Sequence, residues 1–309
     1  MTTVQPAVVA LRSRRAPSHP DLRSQVADYW ALTKPEVNFL ILITTFTGFW
    51  LALPTAAGSV PAMRLASTLI GTLLVAAGTG TLNQYIERRF DGQMRRTARR
   101  PLAAGRMQPS AALRFGILLS FTGTIYLALA VNALAALLAA FTLVSYLFAY
   151  TPLKRKTPLC TLAGAIPGAM PPLIGWAAAS GKLTLEAWVL YGIVFLWQFP
   201  HFMAIAWMYR EDYARAKYLV LPFGDARQRF MTWQTLAPAL ALIPLTLMAS
   251  LLSQTGVIAL GGALLLGSIF LYYGARLALR PSNAIARQLL FASIAYLPLL
   301  FALMVLNKG

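Results

Sequence analysis

"FGILLSFTGTIYLALAVNALAALLAAFTLVSYLFAY", from Phe115 to Tyr150, contains no charged side chain, and only Arg114 marks its edge. A helix crosses the hydrocarbon core of a bilayer in about 20 residues. The run is too long for one crossing and sufficient for two. Asn132, within "AVNAL", is the place for a tight turn, which divides the stretch into spans at 110–130 and 131–149. Working outward, seven further windows have the same character: 37–57, 65–85, 159–179, 184–208, 231–252, 256–276 and 286–306. The composition agrees. Of 309 residues, 58% are hydrophobic and 12% charged, whereas a soluble domain is about 25% charged. The expected fold is an all-α integral membrane bundle of nine transmembrane helices.

No polar linker interrupts the apolar runs, so residues 31–309 are expected to form one membrane domain. Residues 1–30 read as a polar, basic, disordered tail, without the apolar core of a signal peptide. The fifth span, "CTLAGAIPGAMPPLIGWAAAS", holds Pro167, Pro171 and Pro172 and must be kinked. Broken backbone at membrane depth is tolerated only when buried in protein or lining a cavity. The single cysteine, Cys160, excludes a disulfide framework and a cysteine metal cluster.

Charge orients the bundle. With nine spans, every Lys and Arg except Arg64, Lys182 and Lys308 falls on the side of the N-terminus. The positive-inside bias puts that side in the cytoplasm and the C-terminus outside. Most of the net charge of +18 is thereby topology and attraction to anionic lipid, not nucleic-acid binding.

"NQYIERRFDGQMRRTARRPL", Asn83 to Leu102, breaks this pattern. The chain has only nine acidic residues, yet Glu87 and Asp91 stand four apart here among six arginines. If the second span continues as a helix, Asn83, Glu87 and Asp91 stack their oxygens on one face, and Gly92 allows the chain to leave. A second acidic pair, Glu211 and Asp212, follows the sixth span on the same side. Oxygen ligands of this kind suit Mg²⁺, which combines one or two carboxylates with water and substrate phosphate. Arg88, Arg95, Arg96, Arg99 and Arg100, with Lys154 and Arg155 in "LKRK", supply charge for diphosphate oxygens. The alternative is a set of snorkelling arginines with two neutralising acids, and spacing does not choose between them.

Longer segments carry a resemblance. "NQYIERRFD" resembles the NxxxDxxxD motif of the UbiA superfamily of intramembrane prenyltransferases, with Glu87 in place of the first Asp. "MRRTARRPLAAGRM" (94–107), "YTPLKRKTPLCTLAGAIPGAMPPLIGWAAASG" (150–181) and "FLWQFPHFMAIAWMYREDYARA" (195–216) resemble its heme-farnesylating branch. Arg89 stands where many relatives carry a further acid.

The resemblance implies a UbiA-type bundle with its active site on the cytoplasmic face, and the short N-terminal tail favours a bacterial plasma membrane over an organelle inner membrane. It implies Mg²⁺ held by Asn83, Glu87 and Asp91, with help from Glu211 or Asp212. Diphosphate would be bound by Arg95, Arg99, Arg100, Lys154 and Arg155. The implied reaction joins the farnesyl group of farnesyl diphosphate to a vinyl group of heme B with addition of water. Heme A synthase or terminal oxidase assembly are partners implied by family function alone, and membrane lipid is the surrounding one. His201, in "WQFPHF", then has three readings: heme contact, general base, or packing residue. Trp197, Phe199, Phe202 and Trp207 around it either line a cavity or belong to the core. Two rivals remain. One is a UbiA-type enzyme for a quinone precursor or chlorin. The other is a small-molecule transporter, for which acids at helix ends on one face are unusual.

Overall fold

Each apolar run satisfies its own backbone hydrogen bonds as a helix, the only way a single segment crosses lipid. A computed structural model describes residues 21–54, 61–252 and 257–308. Among these, nine helices are long and apolar enough to cross a membrane. In chain order the elements are α1 (Leu22–Leu32), α2 (Pro35–Ala52), α3 (Ala62–Asp91), α4 (Pro109–Ala130) and α5 (Ala133–Val144). The last runs through a π-helical turn, Ser145–Tyr150, into α6 (Thr151–Leu153). Then come α7 (Cys160–Gly168), α8 (Met170–Ser180), α9 (Leu185–Met208), α10 (Arg210–Arg215), α11 (Ala226–Leu252), α12 (Val257–Leu279) and α13 (Asn283–Leu306).

The two sequence breaks have clear causes. Asn132 is the N-cap of α5, its Oδ1 accepting from the Ala135 amide at 2.8 Å while its Nδ2 donates to the Ala177 carbonyl at 2.8 Å. One side chain thus ends a turn and ties it to a third helix. The fifth span is interrupted at Ala169, between Pro167 at the end of α7 and Pro171–Pro172 at the start of α8. This is the expected kink, and the span is the most enclosed: 72% of its most apolar window is buried, against 22% in the fourth span. Helices α2 and α8 pack very closely. A Cβ on Gly175 would overlap the Thr45 carbonyl oxygen, and one on Gly48 would overlap that of Pro172.

Two details depart from expectation. Residues 22–30 of the stretch read as a tail form most of α1; residues 1–20 lie outside the described residues. Gly92 does cap α3, but with φ −65° in the right-handed region. The chain leaves through a series of turns to Arg106, in which Gly105 takes the positive φ of 71°.

The bundle closes as a ring. Helices α2, α3, α4, α5 and α8 pack in one half and α9, α11, α12 and α13 in the other. Contacts of α8 with α9 and of α13 with α2 join them. At one end, Lys308 Nζ donates to the Trp50 carbonyl at 2.9 Å and also to that of Leu53. At the other end sit the final turns of α3 and the loop that follows.

Candidate active site

Helix α3 runs to Asp91 without interruption, and this continuation builds the site. Asn83, Glu87 and Asp91 are all buried on one face. Each is met by its own cation. Lys34 Nζ donates to Asn83 Oδ1 at 2.9 Å, Lys154 Nζ to Glu87 Oε1 at 2.8 Å, and Arg100 to both Asp91 oxygens at 2.9 and 2.8 Å. Burying one of these charges without its partner would cost several kcal/mol, so the set is interdependent.

The Asn83 amide is fixed on both sides. Its Nδ2 donates to Thr151 Oγ1 at 3.2 Å, and the Thr151 hydroxyl donates to the Tyr146 carbonyl at 2.9 Å within the π-helical turn. Lys154 follows one turn later, its ammonium 4.5 Å from the centre of the Tyr150 ring. Burial opposes its charge, but Tyr150 and Glu87 beside it hold its pKa well above the usual lysine value.

The second acidic pair divides. Asp212 is buried; it pairs with Arg215 and accepts from the Arg96 backbone amide at 3.2 Å. Glu211 is exposed, with only a 3.9 Å approach from Arg210. Met94, Ala216 and Tyr218 form a small apolar cluster that packs the loop after α3 onto the segment after α10. The Tyr218 hydroxyl is buried and faces the Glu87 carboxylate. Burial first, and then the Glu87 carboxylate, raise its pKa above the ordinary phenol value.

The five cations assigned to diphosphate separate similarly. Arg100 and Lys154 reach the carboxylates. Arg95, Arg99 and Arg155 lie on the exposed face, and Arg155 rests on the Phe90 ring at 4.2 Å. Lys34 was absent from the sequence reading. It stands immediately before α2 in a left-handed conformation, φ 53° and ψ 61°, which costs about 1–3 kcal/mol for a residue other than glycine. Burial, then the charges of Arg100 and Lys154, bring its pKa down to about 7, against the pull of Glu87 and Asp91. A lysine in "TKPE" at the entry of an apolar span was the available signal.

His201 lies one third of the way back along α9 from its end at Met208. Its ring stacks on Trp197, with centroids 4.8 Å apart, and Nδ1 meets Ser293 Oγ on α13 at 2.7 Å. Of the nearby aromatics, Trp197 and Phe199 are buried, and Trp207 lies beneath the Arg210 guanidinium at 4.6 Å.

Among the described residues no three His, Cys, Asp or Glu converge as a complete metal cage. The donor set is instead two carboxylates and an amide on α3, Asp212 on α10, tied to the loop after α3 through the Arg96 amide, and the Tyr218 phenol beside Glu87. All are oxygen donors, which fits a hard cation that completes its shell with phosphate and water.

A ring of apolar helices with buried acids and matching cations at one end makes a membrane-embedded site suited to a hard cation and an anionic ligand. The model of the UbiA prenyltransferase family matches residues 41–297, and the chain belongs to that family. It is 51% identical, over 91% of its length and 98% of the relative's, to the "Protoheme IX farnesyltransferase" of Solibacter usitatus. Its fold is similar to that of a digeranylgeranylglyceryl phosphate synthase, with a TM-score of 0.73, 15% identity and coverage of 92% of this chain and 99% of the other. It is also similar to a UbiA homolog from Archaeoglobus fulgidus bound to GPP and Mg²⁺, with a TM-score of 0.62, 16% identity and coverage of 90% and 99%.

Proposed function

We propose that the protein transfers the farnesyl group of farnesyl diphosphate to a vinyl group of heme B, with water, to give heme O and diphosphate. The observation that carries this reading is the Asn83–Glu87–Asp91 stripe, buried and interlocked with Lys34, Lys154 and Arg100. Farnesyl transfer to heme is supported by the similarity to protoheme IX farnesyltransferases over nearly the whole chain.

Asn83, Glu87, Asp91 and Asp212 are the residues that would hold Mg²⁺, which neutralises diphosphate charge when bound. The exposed Glu211 has no part in that set. Lys34, Lys154 and Arg100 are released toward the diphosphate as it binds, and Arg95, Arg99 and Arg155 meet its outward oxygens. They stabilise the negative charge that develops as the C1–O bond breaks and its electron pair goes to the diphosphate. The vinyl group donates its π electrons to farnesyl C1, leaving a cation on the carbon attached to the porphyrin. Water adds there and loses a proton. The enclosed spans keep bulk water from the allylic cation until the porphyrin reaches it.

The site belongs, on this reading, to the cytoplasmic face of a bacterial inner membrane, with the C-terminus outside. Nearly all Lys and Arg lie on the site's side of the bundle. The test is an assay of the purified protein in detergent with heme B, farnesyl diphosphate and Mg²⁺, read by chromatography and mass spectrometry. A chelator-sensitive heme product heavier by a farnesyl and a hydroxyl group is expected. Consumption of farnesyl diphosphate only with an aromatic acceptor would transfer the reading to quinone or chlorin chemistry.

A further inference from the structure

The hydrogen bonds around His201 fix which of its nitrogens is free. Ser293 Oγ lies 2.6 Å from the Leu290 carbonyl, one turn back on α13, as well as 2.7 Å from His201 Nδ1. A hydroxyl has one proton, and a carbonyl oxygen can only accept. The Ser293 proton is therefore committed to Leu290, and His201 Nδ1–H must donate to Ser293 Oγ. In the neutral imidazole this leaves Nε2 unprotonated, with its lone pair directed away from α13. No hydrogen bond to Nε2 exists among the described residues. The ring's orientation is also held. Trp197 stacks on one face at an interplanar angle of 23°, and its Nε1 donates to the Ser293 carbonyl at 2.9 Å. Two side chains of α9 thus converge on one residue of α13.

An imidazole whose Nδ1–H is given to an oxygen, and whose Nε2 lone pair is free, has the arrangement of a metal-ligating histidine and its supporting partner. We infer that His201 Nε2 is an axial ligand to the iron of the heme substrate, with Ser293 as the positioning residue that fixes tautomer and ring angle. This rests on the heme reading above. Ligation anchors the porphyrin by its centre, leaving a vinyl group at its rim to reach the farnesyl cation.

The chain has two histidines, His19 and His201, so isotope labelling can assign the ligand. Resonance Raman spectra of the purified protein with ferrous heme B are expected to show an iron–histidine stretch that shifts with ¹⁵N-histidine. It should persist in His19→Ala and vanish in both His201→Ala and His201→Gln. Ser293→Ala should keep the ligand but lower the stretching frequency, because the imidazole loses the acceptor that raises its basicity, and should weaken heme binding about 10-fold. Ser293→Thr should restore both. A residue that only packs would leave the frequency unchanged. A stretch that survives in the His201 variants, or bound heme without any histidine mode, overturns the inference. Formation of heme O is followed separately by chromatography. If heme B is converted without a histidine mode, ligation falls and the acceptor stands; if heme B is not accepted, both fall.

Discussion

Asp91 sits in the last residue of α3 with both carboxylate oxygens on Arg100. Asp91→Asn keeps the shape and removes the charge, so turnover should fall at least about 100-fold while the protein still inserts and accumulates. Activity and the amount of folded protein by size exclusion, measured together, check this. Near-normal turnover would remove Asp91 from the site. The second acidic pair offers a comparison of neighbours: Asp212→Asn should be severe and Glu211→Gln nearly silent in the same assay, because only Asp212 is buried. Lys34→Met deletes one charged hydrogen bond. A bond of that kind contributes about 1.5–3 kcal/mol, so kcat/KM for farnesyl diphosphate should fall roughly 10- to 150-fold. An unchanged value would make Lys34 a packing residue. The basic run "LKRK" marked Lys154, and helical spacing was enough to align Asn83, Glu87 and Asp91. It did not separate Asp212 from Glu211, because α10 starts a new helix after the break at Tyr209 and so resets which side chain turns inward. Nor did it reveal Lys34, whose partner lies 49 residues away and whose backbone is left-handed.

The helices were legible because lipid imposes their length and forbids unpaired backbone. Asn132 and the proline group announced the two breaks, each being a residue that cannot continue a helix without consequence. Helix α1 was hidden. Its apolar content is modest, and its attachment depends on distant partners: Arg106 grips Asp28, and Gln84 Nε2 donates to the Leu32 carbonyl at 3.0 Å. The crossing of α2 and α8 was equally unreadable, since small residues permit close approach without naming a partner. It yields a direct prediction. Gly175→Val inserts a side chain where the Thr45 carbonyl and the Phe49 amide already stand. Overpacking of this kind costs about 1–3 kcal/mol or more, so the detergent-solubilised variant should melt at a clearly lower temperature. Equal melting temperatures would contradict the close contact.

For the molecule as a whole, the positive-inside bias predicts an orientation. On a Cys160→Ser background, Lys182→Cys should react with a membrane-impermeant maleimide added to intact cells, and Lys156→Cys only after the membrane is opened. Both side chains are exposed, and they belong to opposite faces of the bundle on the positive-inside reading. The reverse pattern would move the site to the other side of the membrane. The ring itself has a consequence for how the protein is made. Among the described spans α2 comes before α13, yet one of its seams is completed by α13, and Lys308 bonds to Trp50, 258 residues earlier in the chain. The seam cannot form before α13 has been made. Until α13 inserts, that face of α2 is left to lipid.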